Sequence, residues 1–382
     1  MKTPIYLDHN ATTPLLPEVV DAMLPYLREH FGNPSSAHAY GHAAKGAVDL
    51  ARARVAGLLG CTEDEVVFTS GGTEANNLAI RGGAEGAGAL RHVVTSCVEH
   101  PATAAPCRYL RDHGFSVDEL AVDGEGRVRE DEARDRVRAG TKLVTVMHAN
   151  NETGTIQPIV ALAKLARTHG AIVHTDAAQS AGKVSVRVDE LGVDLLSIAG
   201  HKLCAPKGVG ALYVRRGTAI RPFVLGAGHE RGLRPGTENV ASIVGLGVAC
   251  ELAAARVAAP SAVLPLRDAL WDALRVKVPG LALNGHATLR LPNTLNVRFP
   301  GASGTAVLAA TPEVAASTGS ACHEGGHETA SSVLLAMGLA PDVALGAVRL
   351  TLGVTTRMDD VLAAADALAR GWQSARGRSS GS

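Results

Sequence analysis

The 382-residue sequence predicts an α/β protein built on a mainly parallel sheet. Two observations predict it. Short apolar runs alternate with helix-like segments between about residues 66 and 214, and each run ends in polar residues of chemical use. Strands buried on both faces and spaced by helices belong to parallel sheets. In such sheets, ligands collect outside the carboxyl ends of the strands.

Taken in order, the runs are residues 65–69, 92–96, 143–147, 171–174 and 194–198. They end in Gly71-Gly72-Thr73-Glu74, Glu99-His100, Asn150-Asn151-Glu152, Asp176-Ala177-Ala178-Gln179 and His201-Lys202. Residues 159–169 read as a helix stopped by Gly170. Residues 81–89, rich in Gly and Ala, read as a surface loop. An Ala-rich helix over 243–259 ends at Pro260 and leads into a second unit. That unit opens with a helix over 264–278, continues with strands over 294–299 and 348–352, and carries a Gly/Ser-rich stretch around Cys322.

Bulk properties narrow the function. Lys+Arg and Asp+Glu balance at 37 each, so no charge field calls for nucleic acid or an anionic membrane. The first residues lack the apolar core of a signal peptide, and the apolar stretch near 240–250 is broken by Glu251, short of the ~18 residues of a membrane span. Six cysteines with no Cys-x-x-Cys pair are too sparse for a disulfide scaffold, so reduced thiols in a cytoplasm are expected.

Several motifs carry chemistry. Lys202 and Asp176 at neighbouring strand ends suit pyridoxal phosphate: the lysine forms a Schiff base and the carboxylate keeps the pyridinium nitrogen protonated. Solvated strand-end charges are the plainer alternative. Gly71, Gly72 and Thr73 form a glycine turn into a helix start, which fits an anion or a simple cap with Thr73 at the N-cap. His100 before Pro101 suits ring stacking or proton transfer, or a structural role. Arg349 inside an apolar strand needs an anion, either a substrate carboxylate or an internal partner. Cys322 among small residues reads as a reactive thiol. The adjoining His323-Glu324-Gly325-Gly326-His327 matches a zinc-protease pattern, but two glycines oppose the helix that pattern requires, at about 1 kcal/mol each. No metal is expected.

With these residues in view, the chain resembles the pyridoxal-phosphate-dependent cysteine desulfurases of the class V aminotransferase group. The resemblance rests on Tyr6-Leu7-Asp8-His9-Asn10-Ala11-Thr12-Thr13-Pro14, Gly32-Asn33-Pro34-Ser35-Ser36, Arg234-Pro235-Gly236-Thr237-Glu238-Asn239, Gly319-Ser320-Ala321-Cys322 and the strand-end motifs above. It implies a fold-type-I homodimer with a large domain over 15–256 and a smaller α+β domain from 1–14 and 257–382. Lys202 would carry pyridoxal 5′-phosphate, Asp176 its ring nitrogen and Gln179 its phenolic oxygen, with His100 stacked on the ring. Gly72, Thr73, His201 and, from the partner subunit, Thr237 would bind the phosphate; Asn151 and Arg349 would take the carboxylate of L-cysteine. Lys202 would move the Cα proton. Cys322 would take the sulfur as a persulfide, release alanine and pass the sulfur to an acceptor protein.

Departures from the family pattern are visible. Ala199 stands where many relatives carry a hydroxyl near the phosphate, and His323, Glu324, His327 and Glu328 replace small polar residues after Cys322. The chain ends soon after its last helix, without the longer tail by which some relatives dock an iron–sulfur scaffold, so the acceptor stays open. Similarity to selenocysteine lyases, strongest at Ala321-Cys322-His323, makes release of selenium from L-selenocysteine the alternative activity. A cysteine hydrolase using Cys322 with His323 would leave Lys202 and Asp176 without a role. A non-catalytic partner-binding protein would have lost the lysine or the cysteine, and both are present.

Overall fold

The structure is a computed structural model that describes residues 3–86, 89–318 and 329–379. Cys322, with His323, Glu324, His327 and Glu328, lies outside the described residues. The chain begins with β1 (Ile5–Tyr6), α1 (Pro17–Arg28) and α2 (Ala39–Leu59). Alternation follows: β2 (Val66–Thr69), α3 (Gly72–Ala84), β3 (His92–Ser96), α4 (Pro101–Asp112), β4 (Ser116–Leu120) and α5 (Glu130–Arg136). It continues with β5 (Thr141–Thr145), α6 (Ile159–Thr168), β6 (Ile172–Asp176), α7 (Val188–Leu191) and β7 (Leu195–Ala199).

These strands make a sheet ordered β2-β8-β7-β6-β5-β3-β4, where β8 is Gly210–Val214. Pairs among β3 to β7 are parallel. β8 departs from the strand-helix alternation: it follows β7 after a connection over 200–209 that opens with a 3₁₀ turn, and it pairs antiparallel with both β7 and β2. Every residue of β2, β3, β7 and β8 is buried, as helices on both faces require. Gly170, in the left-handed region at φ 68°, follows the end of α6 as its sequence position implies.

One expectation is corrected. Residues 81–84 belong to α3 and not to a surface loop, and Gly82, Gly83 and Ala84 are buried there. A Cβ on Gly82 would lie 2.5 Å from the Arg221 carbonyl oxygen, so the glycine reflects close packing rather than chain freedom.

Helix α8 (Val240–Ala258) is long and apolar enough by composition to cross a membrane, but half of its apolar window is buried against α1 and α2. Its Gly247 meets α2 so closely that a Cβ would come within 2.6 Å of Ala51 Cα. Beyond it lie α9 (Leu264–Lys277), β9 (Ala282–Asn284), β10 (Thr294–Arg298), α10 (Gly304–Ala309), β11 (Val314–Ala315), α11 (Ser332–Ala336), α12 (Pro341–Ala344), β12 (Ala347–Thr351) and α13 (Met358–Ser379). A three-stranded antiparallel sheet, β12-β10-β9, packs with α9 and α13 around a second core that includes Leu7. The N-terminal β1 pairs with β11, which returns the first residues to this second core.

The α2–α8 contact yields the first prediction. Gly247→Val should lower stability by about 1–3 kcal/mol through overpacking. Gly46→Ala, on the open face of α2, should raise it by about 0.5–1 kcal/mol. Thermal unfolding followed by circular dichroism checks both; a Gly247→Val protein melting with the wild type would contradict the packing argument.

Candidate active site

The carboxyl ends of the parallel strands open into a cavity of about 880 Å³. Gly72, Thr73, His100, Asn151, Asp176, Gln179, His201, Lys202 and Arg349 all line it. Thr237 does not; it stands exposed in the segment before α8. Ser317 and Thr329, the lining residues on either side of Cys322 in sequence, both belong to the cavity wall.

At one end of the cavity, α3 starts with its N-cap at Gly71, not at Thr73. Gly71 has φ 149° and ψ −178°, a region open essentially to glycine alone, and no side chain closes the helix. Free first-turn amides and the dipole of a 13-residue helix make an anion cradle. Ala199 presses on it: a Cβ on Gly72 would sit 3.1 Å from the Ala199 Cβ. The cradle fits a phosphate supported by backbone, with no hydroxyl at position 199.

At the centre, Asp176 ends β6 and is buried. Its Oδ2 accepts from Asn76 Nδ2 at 2.7 Å, and its Oδ1 accepts from the Ala178 N–H at 2.8 Å. Both bonds hold the carboxyl group in a fixed orientation at the cavity wall. His100 caps α4: its Nδ1 accepts from the Ala102 N–H at 3.0 Å, which places the proton of the neutral ring on Nε2. Burial holds its pKa below the ordinary range, Asp176 working against that and Lys202 with it.

Lys202 follows β7 in a short 3₁₀ turn, and its Nζ donates to the carbonyls of Asn10 and Ala11, each at 2.6 Å. Burial, then Arg349, push its pKa down from 10.5 to about 8, against the pull of Asp8 and Asp176. A lysine poised there supplies neutral amine near neutral pH, which Schiff-base and proton-transfer chemistry need. Burial, together with Lys202 and Lys207, lowers His201 to about 4.

Arg349 has the internal anionic partner that one reading of its sequence called for. It pairs with Asp8 at 2.7 Å and donates to the Asn151 carbonyl at 3.2 Å, yet its buried Nε finds no protein partner among the described residues. It therefore has an internal counter-ion, while the residue as a whole still lines the cavity.

Sequence reasoning gave no role to several groups found here. Asn10 and Asn76 lie inside quoted motifs, but only the fold shows what they hold. Glu99 is buried beside the ring-stacking candidate; it accepts from Ser96 Oγ and from the Met147 N–H, and burial pushes its pKa up to about 8. Glu152 accepts from Ser331 Oγ at 2.5 Å and is raised to about 7 by burial, which pins the chain just after the Cys322 segment. Lys183 had no local signal at all.

The comparisons accord with this geometry. The Aminotransferase class-V profile matches residues 5–363. The chain is 45% identical over 374 residues to a protein named cysteine desulfurase IscS from Dictyoglomus turgidum, covering 97% of this chain and 95% of that one. A solved structure titled NifS-like protein aligns with TM-score 0.89 and 35% identity, covering 96% of this chain and 98% of the other. Another, titled SspA in complex with cysteine, aligns with TM-score 0.80 and 36% identity over 92% and 99%.

The lowered Lys202 pKa is open to direct measurement. In cofactor-free protein, limited acylation read by peptide mass spectrometry should give Lys202 an apparent pKa near 8. Arg349→Gln should move it upward, because a neighbouring cation has been removed. A Lys202 that titrates like a surface lysine would refute the assignment.

Proposed function

Since this chain belongs to the class-V aminotransferase family and is a pyridoxal-phosphate-dependent cysteine desulfurase, forming L-alanine and a persulfide from L-cysteine, we propose that Lys202 and Cys322 carry its chemistry. The observation that supports the site assignment most is the convergence of Lys202, Asp176, His100 and Arg349 on one cavity.

When bound, pyridoxal phosphate supplies an electron sink for bonds at an amino acid's Cα. In our reading the chain does the rest. The α3 cradle, Thr73 and His201 hold the phosphate, with Thr237 contributed by a second subunit. Asp176 keeps the ring nitrogen protonated, and Gln179 meets the phenolic oxygen. His100 covers the ring. Arg349 and Asn151 fix the substrate carboxylate. Lys202 Nζ takes the Cα proton and returns it. The Cys322 thiolate attacks the substrate sulfur: an S–S bond forms, the C–S bond breaks, and its electron pair stays with carbon, which takes up a proton. Alanine and a Cys322 persulfide result, balanced in atoms and electrons.

We also propose a division into residues 15–256 and residues 1–14 with 257–382, supported by the second core that gathers Leu7 with the C-terminal third. A homodimer is supported by the position of Thr237 and by the exposed Phe31 (80%) and Leu225 (84%), apolar groups that a second subunit would cover. A cytoplasmic protein that hands sulfur to an acceptor protein completes the proposal.

Lys202→Ala should abolish turnover, and Asp176→Ala should lower kcat about 10²–10³-fold. Cys322→Ser should still change its visible spectrum with cysteine yet accumulate no persulfide. Mass spectrometry of cysteine-treated wild type should place one added sulfur on the Cys322 peptide. Sulfur on Cys97 or Cys204 instead, or normal alanine release by Cys322→Ser, would overturn the nucleophile assignment. Faster turnover of selenocysteine by that variant than of cysteine by the wild type would favour the selenium reading.

A further inference from the structure

Behind Gln179 lies a polar cluster that the scheme above does not use. Lys183 Nζ donates to Gln179 Oε1 at 3.0 Å and to Asn10 Oδ1 at 3.1 Å. Gln179 Nε2 donates to the Asn10 carbonyl at 3.0 Å, the same oxygen that accepts from Lys202 at 2.6 Å. The lysine is held there by its turn. Gly182, at φ 73°, packs so tightly that a Cβ would lie 2.6 Å from Leu203 Cδ2, next in sequence to Lys202.

The chemistry of this arrangement is directional. A glutamine amide can present either its carbonyl or its NH₂ to a ligand, with nearly the same shape. An ammonium has donors only, so Lys183 can be satisfied by Oε1 and not by Nε2. With Oε1 turned to Lys183 and one Nε2 hydrogen on the Asn10 carbonyl, the second Nε2 hydrogen is left for the cavity that Gln179 lines.

We propose that Lys183 is a positioning residue that locks the Gln179 amide, so that an N–H and never a carbonyl faces the phenolic oxygen of the cofactor. This rests on the assignment of Gln179 to that oxygen. The titratable and charged groups that face the Lys183 ammonium are Lys202, Arg349, His9 and the Cys204 thiol. Burial and the two cations press its pKa down to about 7, and a phenolate across Gln179 acts in the opposite direction.

The test is a pH titration of the visible absorbance of the cofactor-loaded protein, which reports protonation of the lysine–cofactor linkage. A donor on the phenolate and a nearby cation both favour the deprotonated linkage, so Lys183→Met should raise its pKa by about one unit. Lys183→Arg should restore much of that shift. Gln179→Leu serves as the reference. If Gln179→Leu leaves the titration unmoved, the assignment of Gln179 to the phenolic oxygen is wrong. If Gln179→Leu shifts it and Lys183→Met does not, the lock is wrong and the assignment survives. Melting of the cofactor-free variants gives the structural control: a lowered melting temperature with an unmoved titration also overturns the proposal. Should Lys183→Met fail to fold, Lys183→Gln is read the same way.

Discussion

Asn10 is the residue on which both cores and the site depend. Its carbonyl accepts from Lys202 and Gln179, and its Oδ1 accepts from Lys183 and from Asn293 Nδ2. Its own Nδ2 donates to the Asn151 carbonyl and to Thr294 Oγ1, and its backbone N–H to Thr351 Oγ1. Residues 151, 179, 183 and 202 come from the strand ends of the large sheet; residues 293, 294 and 351 come from the smaller unit. A side chain this buried must satisfy every donor and acceptor, since an orphaned one costs roughly 1–3 kcal/mol. The site is therefore assembled by the same hydrogen bonds that join the two halves of the molecule.

That joint explains why the N-terminal segment crosses to the far unit before the large sheet begins. Strand β1 lies beside β11, and Asp8 reaches Arg349 in β12. The arginine then approaches the cavity from the small unit, while Lys202 and Asp176 approach from the large one. Groups proposed for the cofactor and for the substrate carboxylate thus stand on separate cores, with Asn10 and Asp8 setting the distance between them.

Much of this was legible in the sequence, for a definite reason. Lys202, Asp176 and His100 follow apolar strands, and a parallel sheet brings all its carboxyl ends to one edge, so position along the chain reports position in space. Asn76 and Lys183 were not legible. One projects from the first turns of α3 toward Asp176, and the other sits in a glycine-shaped turn; neither placement leaves a periodic trace. Glycine misled at residues 81–84, where composition suggested a loop, yet the chain stays helical and Gly82 packs against the Arg221 carbonyl with no room for a side chain. Strand β8 escaped because its antiparallel return from β7 needs no helix, and alternation was the signal in use.

The titratable groups gathered at the cavity have a consequence for the life of the chain. Lys202 is depressed to about 8 and Glu99 raised to about 8, so the folded state disfavours the charge that each carries in the unfolded chain near neutral pH. Such a cavity is a weak point in the ligand-free fold. A ligand that meets these groups binds the folded chain alone and, at a hundred times its Kd, stabilises it by about 2.7 kcal/mol. Cofactor-loaded protein is then expected to resist proteolysis longer than cofactor-free protein, so the cofactor protects the chain as well as equipping it.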